Sequence, residues 1–218
     1  MAYYPVNLSI GGRKCLIVGG GCVAERKALD LIAAGAVVEV CSPVLSEKLA
    51  NLAVDGTITH IGQEYRPGVA GGYFIVICAT DDKLVNRLAA EEARKNGALV
   101  NVADDSSASD FTVPARLRRG DILVTVSTNG KSPMLARRLR EQLAETYGPE
   151  YGVFLELIAK LRAELKAENT CAFERRLLWR DSLDIEIIGL LKTGKLKDAE
   201  EKLRQMLVHK TGGHDERG

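Results

Sequence analysis

The sequence is poor in the residues that cross-link chains or hold metals. Its 218 residues include five cysteines and three histidines. Cys15, Cys22, Cys41, Cys78 and Cys171 form no CxxC pair, and His60, His209 and His214 are scattered. This pattern argues against a disulfide framework and a structural zinc site, and points to a cytoplasmic chain with no resident metal. Cysteines inside strands then serve as small apolar filler. Neither sign of charge dominates, since 30 Lys and Arg face 29 Asp and Glu. Nothing global therefore directs the chain to nucleic acid or to an anionic membrane. No apolar run approaches the roughly 20 residues of a membrane span. Residues 1–8 are too short and too polar for a signal peptide. Internal repeats and low-complexity tracts are also missing.

What remains is ordinary globular composition, 46% apolar and 27% charged, long enough for one or two domains. Over the first hundred residues the pattern alternates between strand and helix. Strands are expected at Cys15–Val18, Val37–Cys41, Thr57–Ile61, Tyr73–Ala79 and Leu99–Val102. Helices are expected at Val23–Ala34, Ser46–Ala53 and Lys83–Asn96, the last capped by Asp81 or Asp82. Gly35 and Gly97 close two of them. Such a βαβ rhythm predicts a Rossmann-like, doubly wound parallel sheet in an α/β fold. The rhythm breaks at the polar stretch 103–110. Phe111–Leu117 and Ile122–Val126 read as a small hairpin, with Pro114 marking an edge strand. From Ser132 to about Val208 the pattern is helical. Its apolar stripes are Leu135, Leu139, Leu143; Leu155, Ile158, Leu161, Leu165; and Ile185, Ile188, Leu191, Leu196, Leu203. The expected domains are a dinucleotide-binding domain over 1–110, a hairpin and helix over 111–148 for dimerisation and substrate, a helical domain over 149–209, and a disordered tail over 210–218. A helical half of this kind serves dimerisation as readily as it binds a ligand.

The glycine-rich turn carries the first chemical signal. Gly19-x-Gly21-x-x-Ala24 follows an apolar strand and opens directly into a helix. Gly19 permits the tight turn, Gly21 lets a pyrophosphate approach the backbone, and Ala24 lets helix and strand pack closely. The helix N-terminus then faces the negative ligand. One part of this fingerprint is missing. An acid that holds the ribose normally lies about 20 residues further on, at the end of strand two. Here that end reads Val40-Cys41-Ser42, and Glu39 lies inside the strand. Ser42 is left to meet a ribose hydroxyl, and no arginine follows to take a 2′-phosphate. NAD is favoured over NADP.

Ligands of such sheets sit beyond the C-terminal strand ends. Asp104 and Asp105 fall there, after strand five. Either can move protons, and either can equally serve as a solvated or capping loop residue. A second candidate site is the segment 127–140. Ser132 followed by Pro133 is a helix start, and Lys131 beside it favours an anion. Arg137, Arg138, Arg116, Arg118 and Arg119 add positive charge. Arg140 reads better as a solvated residue balanced by Glu141 and Glu145.

Together these pieces resemble the sirohaem synthase family, in its precorrin-2 dehydrogenase/sirohydrochlorin ferrochelatase module. The matching stretches are Pro5–Leu8, Leu16–Lys27, Ala79–Asp82 with Val85-Asn86, Asn101–Asp104, Phe111-x-x-Pro114 and Ser127–Leu139. The resemblance implies a stand-alone module without the methyltransferase module of longer members. It implies oxidation of precorrin-2 to sirohydrochlorin by NAD⁺. Bifunctional members then insert Fe²⁺ as a co-substrate. NAD contacts carry over to Cys22, Val23, Ser42 and Pro43, with Thr80, Asn101 and Val102 added by position beside Gly19 and Gly21. The family's proposed catalytic aspartate falls on Asp104. Ser127, Thr128, Lys131, Ser132 and Arg116 are placed beside a carboxylate-rich tetrapyrrole. A homodimer is the expected assembly, since the helical stripes and the family resemblance agree on it. The fingerprint alone also allows another class of function, a regulatory domain that senses NAD without chemistry.

Overall fold

The computed structural model describes residues 3–167 and 185–211. Cys171, Asn169 and His214 lie outside the described residues, as does most of the expected tail. The chain divides into two compact units, one up to Val113 and one from Pro114 onward.

The first unit contains β1 (Lys14–Val18), α1 (Cys22–Ala33), β2 (Val37–Cys41), α2 (Glu47–Val54), β3 (Ile58–Ile61), β4 (Ile75–Cys78), α3 (Lys83–Lys95) and β5 (Leu99–Val102). The strands form one parallel sheet in the order β3-β2-β1-β4-β5. The chain builds outward from β1 to β3, then returns to lay β4 on the other side of β1. That reversal opens a crevice at the C-terminal ends of β1 and β4, the place where doubly wound sheets bind ligands.

Both faces of the sheet are covered at its centre, which is why β4 and the Cys15–Val18 stretch of β1 are wholly apolar. Cys15, Ile17, Val38, Val40, Ile75 and Ile77 meet α1 and α2 through Ala24, Ala28, Leu31 and Leu49. Their neighbours Leu16, Val18, Cys41, Val76, Cys78 and Val100 meet α3 through Ala89, Ala90 and Ala93. The strand cysteines Cys15, Cys41 and Cys78 are all buried. Strand β4 is shorter than its apolar run. Tyr73 turns its hydroxyl to Glu39 (2.8 Å), and Phe74 lies under the Arg13 guanidinium, 4.0 Å away.

At the outer edge of the sheet, β5 is sealed by the chain that follows it. Asp110 donates its N–H to Val100 O (2.8 Å) and accepts from Val100 N (2.9 Å) through its carboxylate. Ser109 Oγ accepts from Val102 N (2.9 Å), and Asn101 Nδ2 donates to Phe111 O (3.0 Å). Arg94 holds Asp110 from the side at 2.8 Å. Because residues 109–111 are used in this way, the hairpin strand expected from Phe111 starts only at Ala115.

The second unit contains β6 (Ala115–Arg119), β7 (Ile122–Val126), α4 (Pro133–Thr146), α5 (Glu150–Ala167), α6 (Ile185–Lys192) and α7 (Leu196–Thr211). Strands β6 and β7 pair antiparallel with Arg119 opposite Ile122. Phe154, Leu157 and Leu161 of α5, Ile187 and Ile188 of α6, and Ala199 and Leu203 of α7 form its core. Of the stripe expected on α5, Leu161 is buried and Ile158 packs half-buried against this core, while Phe154 and Leu157 are buried more deeply than Leu155 and Ile158. Phe154-Leu155 and Leu157-Ile158 are adjacent apolar pairs, and periodicity alone does not choose between them. In the last expected stripe Ile188 and Leu203 are buried and Leu191 half-buried, whereas Ile185 is 89% exposed and Ile187 takes its place in the core. The expected side chain at Leu165 lies outside the described residues. Helix α7 runs on to Thr211, so residues 210 and 211 are helical where a tail was expected. Among the described residues no helix is long and apolar enough to cross a membrane.

Candidate active site

The glycine-rich turn sits at the crevice. Gly19 has φ +123°, and a β-carbon there would lie 2.3 Å from the carbonyl oxygen of Ala79 at the end of β4. Gly20 is equally constrained, since a β-carbon would lie 1.9 Å from Val44 O and 2.7 Å from Ser42 Oγ. Gly20 O also accepts from Ser46 N at 2.8 Å. Gly21 differs from both, because a β-carbon would meet nothing within 4 Å. Its backbone is extended (φ −83°, ψ −171°), and it caps α1 without any side-chain hydrogen bond. Cys22 is exposed and Val23 half-buried, while Ala24 is buried against the sheet. The first-turn N–H groups therefore face an open surface that a side chain at Gly21 would intrude upon. That arrangement fits a phosphate group.

The loop after β2 is tied to its own backbone. Ser42 is 8% exposed, and its hydroxyl donates to Val44 O at 2.7 Å. His60 Nε2 donates to Ser42 O at 2.8 Å. Its hydroxyl hydrogen is thus engaged, leaving lone pairs to accept from a ligand hydroxyl. Pro43 is exposed beside it. Glu39 stays within the strand, held by Tyr73 and by Lys14 at 3.5 Å. Ser46 links the two helices on this side: its hydroxyl donates to Glu25 in the first turn of α1 (2.8 Å) and accepts from Leu49 N (3.4 Å).

Beyond β4, Thr80 is gripped by Asn86. Asn86 Oδ1 accepts from Thr80 N (3.1 Å), and Asn86 Nδ2 donates to Thr80 O (2.9 Å). The Thr80 hydroxyl lies 2.9 Å from both Asn86 Oδ1 and Asp82 O. Asp82, rather than Asp81, caps α3 through Leu84 N and Val85 N. At the end of β5, Asn101 and Val102 are buried, and the Asn101 amide is spent on Phe111.

The two aspartates that follow have different tasks. Asp105 Oδ1 accepts from Ser107 N (3.0 Å), Ser107 Oγ (2.6 Å) and Ala108 N (3.0 Å). These bonds, that from the Ser107 side chain foremost, hold its carboxyl below the usual carboxylate range. Asp104 is exposed with φ +60°, a left-handed conformation that costs an L-residue about 1 kcal/mol. Among the described residues, none hydrogen-bonds or ion-pairs with its carboxylate.

The remaining candidates lie in the second unit. Thr128 Oγ1 accepts from Ser132 N (3.2 Å) and donates to Ser132 O (3.0 Å). Ser132 caps α4 by accepting from Leu135 N at 3.2 Å, with Pro133 in the first turn. Ser127 Oγ accepts from Asn129 N (3.2 Å). Thr128 and Ser132 thus shape this loop, and Lys131 and Arg116 project from it and from β6 as exposed cations. Arg119 is not part of that charge. Its guanidinium donates to Tyr147 O (2.8 Å) and Ala144 O (3.3 Å), capping the C-terminus of α4. Arg137 and Arg140 both pair with Glu141, at 3.1 and 2.7 Å. Among the described residues no cluster of His, Cys, Asp or Glu is placed to hold a metal ion.

Comparison with known proteins places this geometry. A family profile described as putative NAD(P)-binding matches residues 6–115. Two more, sirohaem biosynthesis protein central and sirohaem synthase dimerisation region, match residues 119–146 and 150–207. The chain belongs to the sirohaem synthase family. A siroheme synthase of Photorhabdus laumondii is 36% identical over 207 residues, 95% of this chain and 44% of that one. Another, from Nitrosomonas europaea, is 37% identical over 212 residues, 97% of this chain and 45% of that one. The chain therefore spans a little under half the length of these sirohaem synthases. A solved structure titled SirC, precorrin-2 dehydrogenase, superimposes with a TM-score of 0.78 at 25% identity, covering 93% of this chain and all of that one. Within the sirohaem synthase frame, the NAD(P)-binding profile covers the whole parallel sheet, the central region covers β7 and α4, and the dimerisation region covers α5 to α7.

Four roles were not evident from the sequence: the tight packing of Gly20, the grip of Asn86 on Thr80, the bridge made by Ser109, and the capping of α4 by Arg119, which reads there as positive charge. Each acts through a partner distant in sequence or through a backbone group, and side-chain type alone announces neither.

Proposed function

We propose that the chain oxidises precorrin-2 to sirohydrochlorin with NAD⁺ as cofactor. The observation that carries this reading lies at one end of one sheet. There an uncapped, glycine-rich helix start shares the C-terminal strand edge with an unpaired aspartate. Bound NAD⁺ supplies the hydride acceptor. Gly19 and Gly21 clear the path for its pyrophosphate, and the N–H groups of Cys22 and Val23 receive it. Ser42 and Pro43 border the ribose, where the lack of an arginine favours NAD over NADP. Thr80, Asn101 and Val102 shape the β4–β5 side, with Asn86 holding Thr80 in place. Asp104 takes the proton that the macrocycle gives up on oxidation. Among the described residues its carboxylate has no partner to displace first.

Lys131 and Arg116 pair with the carboxylates of the tetrapyrrole, and Ser127, Thr128 and Ser132 hold the loop that presents Lys131. With Fe²⁺ as a second substrate, Asp104 accepts the pyrrole N–H protons released on metal insertion. The protein works as a cytoplasmic homodimer. The dimerisation-region match supports this, and so does the exposed stripe of Leu135 (49%) and Leu139 (38%) on α4.

The test is the reaction itself. Purified protein with precorrin-2 and NAD⁺ produces NADH, followed by absorbance, and Fe²⁺ added afterwards is incorporated faster than without protein. NADH at the no-protein rate, with NAD⁺ still bound, would overturn the oxidation and leave a nucleotide-sensing domain. Iron incorporation at the no-protein rate would remove the second activity alone.

A further inference from the structure

Resting on that reading of Asp104, we propose that Ser109 and Asp105 are positioning residues that hold the catalytic carboxylate in its strained conformation. Residues 102–105 form a tight turn, closed by Asp105 N donating to Val102 O at 3.2 Å. Asp104 occupies the third position of this turn with φ +60°, a place normally taken by glycine or asparagine. Something must keep an aspartate there, and the structure supplies two devices. Ser109 Oγ bridges both ends of the turn, accepting from Val102 N (2.9 Å) and donating to Asp105 O (2.7 Å). Asp105, through Ser107 and Ala108, folds the following segment back so that Ser109 reaches the turn. The base of the turn is fixed as well, because Ala103 N donates to Cys78 O at 2.8 Å. Among the described residues the bonds that hold this turn run through Val102, Ala103, Asp105 and Ser109, and none involves the Asp104 carboxylate. Left-handed backbone at a reactive residue, over-determined by its surroundings, is how folds preset a functional group.

The division of labour is specific to the neighbouring pair. Asp105 carries the hydrogen bonds that a loop aspartate ordinarily makes, and this leaves Asp104 none to make. Release of the Ser109 bridge lets Asp104 relax toward ordinary backbone, which swings its carboxylate away from the set direction. A displacement of about 1 Å at a reacting group costs up to about 100-fold in rate.

The experiment compares Asp104→Ala, Ser109→Ala, Ser109→Thr, Asp105→Asn and the Asp104→Ala/Ser109→Ala double variant in the precorrin-2 oxidation. Turnover, KM for NAD⁺ and melting temperature are read for each. Ser109→Ala is expected to lose on the order of ten-fold in kcat with KM for NAD⁺ within about two-fold of the parent, and Asp105→Asn to lose less. Ser109→Thr, which keeps the hydroxyl, is expected to recover most of the rate. In the Asp104→Ala background, removing Ser109 should cost nothing more. Parental kcat in Ser109→Ala beside an impaired Asp104→Ala would overturn the positioning role and leave the Asp104 reading intact. An equal further loss in the double variant would likewise overturn it. Parental kcat in Asp104→Ala would overturn the Asp104 reading and this proposal together.

Discussion

A β-carbon on Gly20 would stand 1.9 Å from the carbonyl oxygen of Val44, whereas one on Gly21 would stand in open space. Two adjacent glycines therefore answer to different demands, one from the fold and one from a ligand. Gly20→Ala forces the turn off the β2–α2 loop and is expected to destabilise the protein by about 2–3 kcal/mol. Gly21→Ala is expected to keep the parental melting temperature while weakening NAD⁺ at least ten-fold. Calorimetric melting and titration with NAD⁺ separate the two.

Asn86 joins both backbone groups of Thr80, so it continues the work of a strand after β4 has ended. Asn86→Ala leaves the half-buried Thr80 N–H and C=O without this partner, and a loss of about 1–2 kcal/mol is expected. The midpoint of urea unfolding measures it. Asp82→Ala, at the exposed cap, should cost about 1 kcal/mol.

Relief of the backbone at residue 104 should run stability and activity in opposite directions. Asp104→Gly removes the left-handed penalty and is expected to raise stability by about 0.5–1 kcal/mol, after the extra freedom of the unfolded glycine is counted. The same change abolishes proton transfer by this residue. Denaturation and NADH formation on one preparation check both halves.

The described thiols fall into two classes. Cys22 is exposed at the start of α1, while Cys15, Cys41 and Cys78 are buried. A small thiol reagent should label Cys22 well before those three, and saturating NAD⁺ should slow that labelling. Mass-spectrometric mapping of the labelled peptides identifies each site, including Cys171.

Burial pushes the Cys78 thiol from 9.0 up to about 12, and raises Cys15 and Cys41 in the same direction. A raised folded value means that the unfolded chain loses the proton first. The stabilising contribution is complete below pH 9 and is lost as pH rises from there toward 12. Unfolding midpoints measured between pH 7 and 10.5 should fall on the alkaline side, and less steeply in Cys78→Ala.

Much of this was legible in the residues. The almost wholly apolar run at 73–79 read as a strand covered on both faces, and the glycine turn after the first strand located the crevice. Position after the fifth strand was legible for Asp104 and Asp105 alike, and only the family resemblance favoured Asp104, whose role is a proposal. The contrast between the two was not legible, because the two carboxylates are chemically identical until Ser107 and Ala108 choose one of them. Arg119 shows the same limit. It reads as surface charge, yet its partners are carbonyls 25 and 28 residues further on. On α5 the expected Leu161 is in the core, but in the adjacent apolar pairs Phe154-Leu155 and Leu157-Ile158 only packing in the core with Ile187 and Leu203 decides which member is buried deeper.

The segment that presents Asp104 is the same segment that seals β5. Residues 109–111 occupy the hydrogen-bonding groups of an edge strand that would otherwise be free to recruit a second chain. On the role proposed for Asp104, reactivity and protection of the sheet edge share one stretch of sequence. A substitution that frees the loop to explore new chemistry also bares a template for aggregation. Variation in this family member is accordingly expected to be tolerated less between 103 and 111 than in any other exposed loop of its sheet.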